Sequence, residues 1–341
     1  MNIHEVARAA GVSVATVSRV INHPEIVAEK TRERVLAVLK ETSYAPNGEP
    51  HARQIRKKHA IAVVLPSVDE YRNVHAGVRA IAAAKNCGVQ LCITGHDEAD
   101  LLRNIRGLAA GQIDGVILAA DAGADRAIAM LREARIPIVC IGGRRMPEND
   151  NFCYINYPES AAKLAQYAIE SGNATAMLLL AQYDSDSREG LQQGFSEAWF
   201  AAGRAPNTLM TRFCEPDFAG GYRALNELLA EETPAPDLLV AQFDEMAIGA
   251  MKAAAERRIA VPRQLRVIGF HDAPVSVAVL PELTSVEQPT YRLGIAAARR
   301  LFDIIEDQDY FDIESQEIVL KGRIRIRKSC GNKKAIYEWY E

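Results

Sequence analysis

Apolar residues recur at helical spacing through the first forty-five positions. Ile3, Val6, Ala7 and Ala10 share one face of a short helix, Gly11 permits a tight turn, and Val12, Val17, Val20 and Ile21 line a second helix, with Ser13 where a cap belongs. The periodicity runs on to Thr42, broken at Asn22-His23-Pro24-Glu25, which is the size of a three-helix head. Between Tyr44 and His59 it stops. Pro46, Gly48, Pro50 and the basic group Arg53, Arg56, Lys57 and Lys58 read instead as a hinge. From Ile61 the pattern changes to β-rich runs separated by helical stretches of roughly ten to fifteen residues, the signature of βαβ units on a parallel sheet. One set of strands is expected at 61–66, 89–95, 114–120 and 136–142, a second at 175–181, 208–213, 237–243 and 266–270. The fold class is therefore α/β: an all-α head, a hinge, then two doubly wound parallel-sheet lobes. Ligands in such sheets bind beyond the carboxyl ends of the strands, which puts Ser67, Gly95, Gly142, Asp244 and His271 where a pocket is expected.

Composition narrows the class. The 341 residues are 48% apolar and 25% charged, and no uncharged apolar run reaches the roughly 18 residues of a membrane span, so a soluble chain is expected. Its N-terminus lacks the basic and apolar regions of a signal peptide, which predicts a cytoplasmic protein. The six cysteines (Cys87, Cys92, Cys140, Cys153, Cys214, Cys330) form no C-x-x-C pair and are expected to be reduced and buried. Residues 1–59 hold ten Lys/Arg against six Asp/Glu, while the chain as a whole carries −4, so the rest carries −8. A basic head on an acidic body suggests that one end meets a polyanion. Ordinary surface variation accounts for the same split.

The head's outer face carries the most specific chemistry. Val14, Ala15, Ser18, Arg19 and Asn22 lie opposite the apolar stripe, as in a recognition helix entering the major groove. Arg19 can donate two hydrogen bonds to a guanine, and Val14 and Ala15 are small enough to meet base edges or thymine methyl groups. A helical hairpin used for packing or dimerisation has the same pattern, and the residues alone leave both readings open. An enzyme needs a nucleophile, phosphate loop or metal cluster. Neither G-x-G-x-x-G nor G-x-x-x-x-G-K-[ST] occurs, and the serines and seven histidines show no motif spacing, so no catalysis, cofactor or metal is expected. His271 invites a metal or catalytic role, but with no second ligand at suitable spacing a polar contact at the cleft edge is preferred.

Three motifs in the head, Val12–Asn22 (V-S-x-x-T-V-S-R-V-I-N), Val27–Val35 (V-x-x-K-T-R-x-R-V) and Tyr44–Asn47 (Y-x-P-N), resemble the LacI/GalR family of bacterial repressors. The resemblance continues through Asp114–Leu118, Asp244–Met251, Val261–Phe270 and Leu283–Pro289. It implies a helix-turn-helix head at 1–45, a hinge at 46–59, and a body like the type I periplasmic binding proteins. The N-lobe would comprise 60–155 plus about 286–315, the C-lobe 156–285 plus about 316–341. It further implies a transcriptional repressor that binds double-stranded, pseudo-palindromic operator DNA as a homodimer or dimer of dimers, modulated by a small-molecule effector, a sugar or related metabolite. Val14, Ala15 and Arg19 would read bases, and Asn2, Ser13, Thr16, Ser18, Asn22 and Thr31 would approach phosphates.

The chain also departs from the family pattern. Where a hinge leucine usually wedges into the minor groove, gap-free matching puts Arg53, with Ile55 two residues on and Pro50 inside the expected helix. Both Arg53 and Ile55 stay candidates for that role. In the effector pocket, Leu191 stands in place of an arginine, with Arg188 one turn earlier; Phe243 replaces an asparagine before Asp244; and His271 replaces an aspartate before Asp272. Phe218 sits near the family's stacking aromatic, and Gln288 keeps the polar residue before the closing proline. With Ser67 these give an expected set of apolar walls (Leu191, Phe218, Phe243) and few polar groups (Arg188, Asp244, His271, Gln288). Such a pocket suits a ligand less polar than a free hexose, or one with its own charge. Asp244 and Asp272 have a second reading as residues that cap helices or hold loops. The alternative at the level of function is a regulator whose degenerate pocket leaves control to a protein partner, or to nothing.

Overall fold

The computed structural model describes residues 7–13, 16, 17, 20, 27–41, 60–120, 124–142, 151–183, 185–231, 234–306 and 315–331. The chain divides into two compact units, residues 1–58 and 59–341.

In the first unit Ala7, Ala10, Val17, Val20 and Val35 form a small buried core, with Val12, Val27 and Val38 packed against it. Gly11 makes the turn at φ +62, a left-handed conformation that suits glycine. The chain then re-enters a helix capped by Ser13, whose Oγ accepts from the Thr16 N–H at 3.1 Å. Helix α1 (Glu29–Glu41) supplies Val35.

The second unit holds two six-stranded sheets. The first, in the order β11-β5-β4-β3-β1-β2, is built from β1 (Ala60–Leu65), β2 (Gly88–Ile93), β3 (Val116–Ala119), β4 (Ile138–Gly142), β5 (Phe152–Ile155) and β11 (Glu317–Leu320). The second, in the order β12-β10-β9-β8-β6-β7, contains β6 (Ala176–Ala181), β7 (Leu209–Cys214), β8 (Leu238–Ala241), β9 (Arg266–Gly269), β10 (Thr284–Glu287) and β12 (Arg323–Arg325). Every pairing is parallel except that of β10 with β12. The eight runs read as strands each contain one. A central strand with helices on both faces is apolar throughout, and Ile61–Leu65 and Ala176–Ala181 are buried at every position, whereas the edge strands β2 and β7 are largely open.

Helices α2 (Val74–Ala84), α3 (Glu98–Ala110), α4 (Ala124–Glu133) and α9 (Thr290–Glu306) belong to the first lobe; α5 (Tyr157–Glu170), α6 (Asp186–Ala201), α7 (Phe218–Ala230) and α8 (Asp244–Glu256) belong to the second. Side-chain caps at Asp97, Asn156, Ser185 and Asp217 start α3, α5, α6 and α7. Helix α8 starts at Phe243 without one. Three helix pairs, α2 with α9, α5 with α6 and α7 with α8, pack closely. Their contact points are glycines: Gly294 lies against the Val74 carbonyl, Gly194 against that of Pro158, and Gly249 against that of Phe218. One apolar core, including Tyr71, Tyr157, Leu191 and Phe270, runs through both lobes, and each sheet's opposite face packs separately.

The chain passes between the lobes after β5, after β10 and after β11. The last passage corrects an expectation. The segment from about 316 was assigned to the C-lobe, but β11 pairs in parallel with β5, Glu317 opposite Phe152 and Leu320 opposite Ile155, so the crossing falls at residues 321–322. Short strands with one half-exposed face carry too little apolar periodicity to betray which sheet they join.

Candidate functional site

Strand ends from both lobes converge on one seam. From the first lobe come the segment 66–73 after β1, His96 after β2, and Gly142 at the end of β4. From the second come Tyr183 after β6, Ser185–Arg188 at the start of α6, Gln242–Glu245 after β8, and Phe270–Asp272 after β9.

A buried polar chain joins the two sides. Gln242 accepts from the Ala181 N–H at 2.9 Å and donates to Ser187 Oγ at 3.0 Å and Ser185 Oγ at 3.2 Å. Ser187 in turn donates to the Glu70 carboxylate at 3.1 Å, across the seam. All four side-chain partners are at most 5% exposed. A hydrogen bond to a buried carboxylate contributes about 1.5–3 kcal/mol. The Arg72 guanidinium reaches Glu245 at 3.0 Å and Asp69 at 3.4 Å. With both Arg72 and Glu245 about a third exposed, that bridge adds about 0–1 kcal/mol. His96 stacks on Tyr183 with centroids 4.2 Å apart, and the Asp186 carboxylate fills the space beside Gly142. Burial, then the nearby Glu70 and Asp186 charges, push the Tyr157 hydroxyl well above its usual range.

His271 sits at the centre of the second lobe's edge, stacked on Phe243 at 4.8 Å. Its Nδ1–H donates to the Gln242 carbonyl at 2.8 Å, which leaves Nε2 as an acceptor, and that atom is buried without a hydrogen-bond partner. Burial above all lowers its pKa from 6.5 to about 4; the Gln242 carbonyl and Glu245 oppose the fall and Arg72 adds to it.

Three residues assigned to the effector set take other roles. Asp244 is fully buried, its carboxylate accepting from Ser285 Oγ at 2.6 Å, Ser276 Oγ at 3.0 Å and the Ala273 N–H. It holds the loop after β9, and burial raises its carboxyl above the usual range against the pull of those bonds. Leu191 has no exposed surface and packs in the shared core, so it forms no open wall. Gln288 lies in the second crossing, 5% exposed, donating to the Phe270 carbonyl at 3.1 Å with its Oε1 facing Gly322 of the third. There it braces the crossings, together with Ser160, whose Oγ accepts from the Gly322 N–H.

The other assigned residues divide. Arg188 is at the seam, its guanidinium 5.7 Å from the Phe213 ring centroid, and Ser67 Oγ accepts from the Asp69 N–H at 3.2 Å. Phe218 is half-exposed and stacks on Tyr222. Asp272 pairs with Arg327 at 2.6 Å. Sequence reasoning missed Glu70, Arg72, His96, Tyr183, Ser187, Gln242 and Glu245. One signal was present: Asp69-Glu70-Tyr71-Arg72 puts three charges in the loop that follows the buried strand β1, where solvent or a site must receive them.

The six cysteines are all buried and free, and burial pushes the Cys153 and Cys214 thiols to about 12. Among the described residues no group of three or more His, Cys, Asp or Glu is placed to hold a metal, and no helix is long and apolar enough to cross a membrane.

In the head, the Ser13 and Thr16 hydroxyls bond each other at 2.9 Å, and half-buried Thr31 stands in the first turn of α1. Asn2, Val14, Ala15, Ser18, Arg19, Asn22, Arg53 and Ile55 lie outside the described residues.

Comparison with known proteins covers both units. Residues 2–47 match the model for bacterial regulatory proteins of the lacI family, and residues 165–330 match that for a periplasmic binding protein-like domain. Catabolite control protein A of Priestia megaterium is 26% identical over 332 residues, 96% of this chain and 99% of that protein. The HTH-type transcriptional regulator RegA of Clostridium acetobutylicum is 29% identical over 335 residues, again 96% and 99%. Among solved structures, the transcriptional regulator CelR in complex with cellobiose aligns with TM-score 0.70 at 28% identity, over 96% of this chain and 99% of that one. The lac repressor dimer bound to operator and the anti-inducer ONPF shares the fold, with TM-score 0.70 at 22% identity over 97% and 99%. With a lacI-family head, a periplasmic binding protein-like body following it in the chain and relatives matched from end to end, the chain has the make-up of the lacI-type regulators it resembles and is a DNA-binding transcriptional regulator.

Proposed function

We propose that the protein represses transcription as a homodimer on a pseudo-palindromic operator, and that a small molecule received at the seam between the lobes changes its DNA affinity. The observation that supports this most is the head itself. Gly11 turns the chain, Ser13 caps the next helix, and Val17 and Val20 bury that helix's inner face, which by helical spacing leaves Val14, Ala15, Ser18, Arg19 and Asn22 for DNA. The edge strands support a dimer: β2 exposes Leu91 and Ile93, and β7 exposes Phe213, apolar surface that a second copy would cover. CelR is solved with cellobiose, and a sugar or related metabolite is the corresponding class here. At this seam, however, Glu70, Ser187 and Gln242 are already engaged with one another, so a ligand less polar than a free hexose, or one with its own charge, fits better.

Genome-wide mapping of bound sites would supply the operator. Against that operator, Arg19→Ala is expected to lose about 1–3 kcal/mol of discrimination at the base pair it reads, with the fold intact. Unchanged gel-shift affinity would remove Arg19 from the reading set. Replacing Lys57 and Lys58 by Gln is expected to flatten the fall of affinity with salt, since each phosphate contact adds to that slope. An unaltered slope would leave the two lysines as part of a solvated linker.

A further inference from the structure

A cavity of about 370 Å³ lies in the N-lobe between the edge strand β2, the second half of α3 and the loop 111–113 that leads toward β3. Ala60, the first residue of β1, also lines it. The cavity is therefore at the amino ends of the strands, whereas the seam gathers their carboxyl ends. Side chains alternate along β2, so Gln90 and Cys92 face α3 while Leu91 and Ile93 face the other way, where a second copy would cover them. Helix α3 leaves the space open with its glycines: Gly107 has nothing within 4 Å of where a side chain would start, and Gly111 caps the helix end.

Three carboxamides meet in the cavity, those of Gln90, Asn104 and Gln112. Asn104 Nδ2 donates to the Asp100 carbonyl at 2.9 Å, which leaves Oδ1 for the cavity. Gln90 reaches the Cys92 thiol at a loose 3.7 Å, and Gln112 has no side-chain partner among the described residues. Arg103 is the one charged group on the wall among the described residues, and Asp100 already pairs with it at 2.7 Å. Burial outweighs the Gln90 bond and pushes the Cys92 thiol up, so it adds no charge to the floor that it makes with Leu108 and Ile113. Among these lining residues there is neither a carboxylate nor an aromatic ring.

We propose that this cavity is a second small-molecule site, distinct from the seam, whose ligand is a neutral polyol. A carboxamide donates from nitrogen and accepts at oxygen, and a hydroxyl does both, so three amides around one space match a run of hydroxyls. A nucleobase is held by an aromatic face and an anion by a free guanidinium, and the walls offer neither. The volume falls within the range of small-molecule sites, about 300–1,000 Å³. Bound there, the polyol ties β2 to α3 and to the loop before β3. The inference does not rest on the effector reading of the seam.

The test is calorimetric titration of the full chain with sorbitol, myo-inositol and sorbitol 6-phosphate. Saturable heat is the readout, because polyols raise the melting temperature of proteins in general through exclusion from their surface. At least one of the two neutral polyols is expected to saturate a single site per chain. Gly107→Gln sets a side chain in the cavity at an exposed position with room for it, and Gln112→Ala removes one amide from an exposed loop. Each is expected to weaken the binding by about tenfold or more without lowering the urea midpoint. Tighter binding of the phosphate, lost in Arg103→Ala, would overturn the neutral class. Saturation that survives both Gly107→Gln and Gln112→Ala would put the polyol elsewhere and overturn the site, as would the absence of saturable heat from either polyol.

Discussion

Replacing Gly294 by valine is expected to unfold the N-lobe or cost it more than about 3 kcal/mol, because the new side chain has nowhere to go. Gly294 on α9 lies on the Val74 carbonyl of α2, and Gly77 on α2 lies reciprocally on the Tyr291 carbonyl, so the two backbones touch without side chains between them. A methyl group at either position would overlap that carbonyl oxygen. The obstacle is backbone, so no rotamer change relieves it, and the helices would have to separate along a face that carries Val74, Val78, Leu293 and Ala297 in the shared core. A matched control is Gly107→Ala on α3. That glycine is exposed, with open space where a side chain would go, and the substitution is expected to stabilise by about 0.5–1 kcal/mol through helix propensity. Urea melts of the two variants beside the parent give both numbers. Equal midpoints for Gly294→Val and the parent would mean that the close crossing of α2 and α9 is wrong.

Asp244→Ala is expected to cost about 2–4 kcal/mol, and it separates two roles that the residue's position permits. Its carboxylate gathers Ser285 Oγ, Ser276 Oγ and the Ala273 N–H in a site with no solvent. The hydroxyls can turn to other acceptors, but the Ala273 N–H cannot, and the truncated side chain leaves a void besides. Asp244→Asn should cost less, since its amide oxygen can still accept from Ala273. Thermal unfolding of both variants gives the ranking. A ligand-contacting Asp244 would behave otherwise: alanine would leave the melt where it was and abolish only the response to effector.

Much of this molecule is local enough to read along the chain. Ile61–Leu65 and Ala176–Ala181 announce buried parallel strands because every side chain in such a strand is covered, and no distant partner need be known to see it. Gly11 and Ser13 likewise make a turn and a cap from their own backbone and hydroxyl. The seam is different in kind. Glu70 and Ser187 are 117 positions apart, Arg72 and Glu245 are 173, and nothing in either segment says which lobe edge will face it. Strand β11 was misassigned for the same reason, since its partner β5 lies far back along the chain. The pair Asp244-Glu245 shows the limit within a single turn of helix. Successive side chains point about 100° apart, so one of the two acids faces inward to the loop after β9 and the other outward to Arg72. Their order in the sequence is plain, but which of them is spent on the fold and which remains at the seam depends on how α8 is rotated against β9 and on the opposite lobe closing over it, and packing alone decides that.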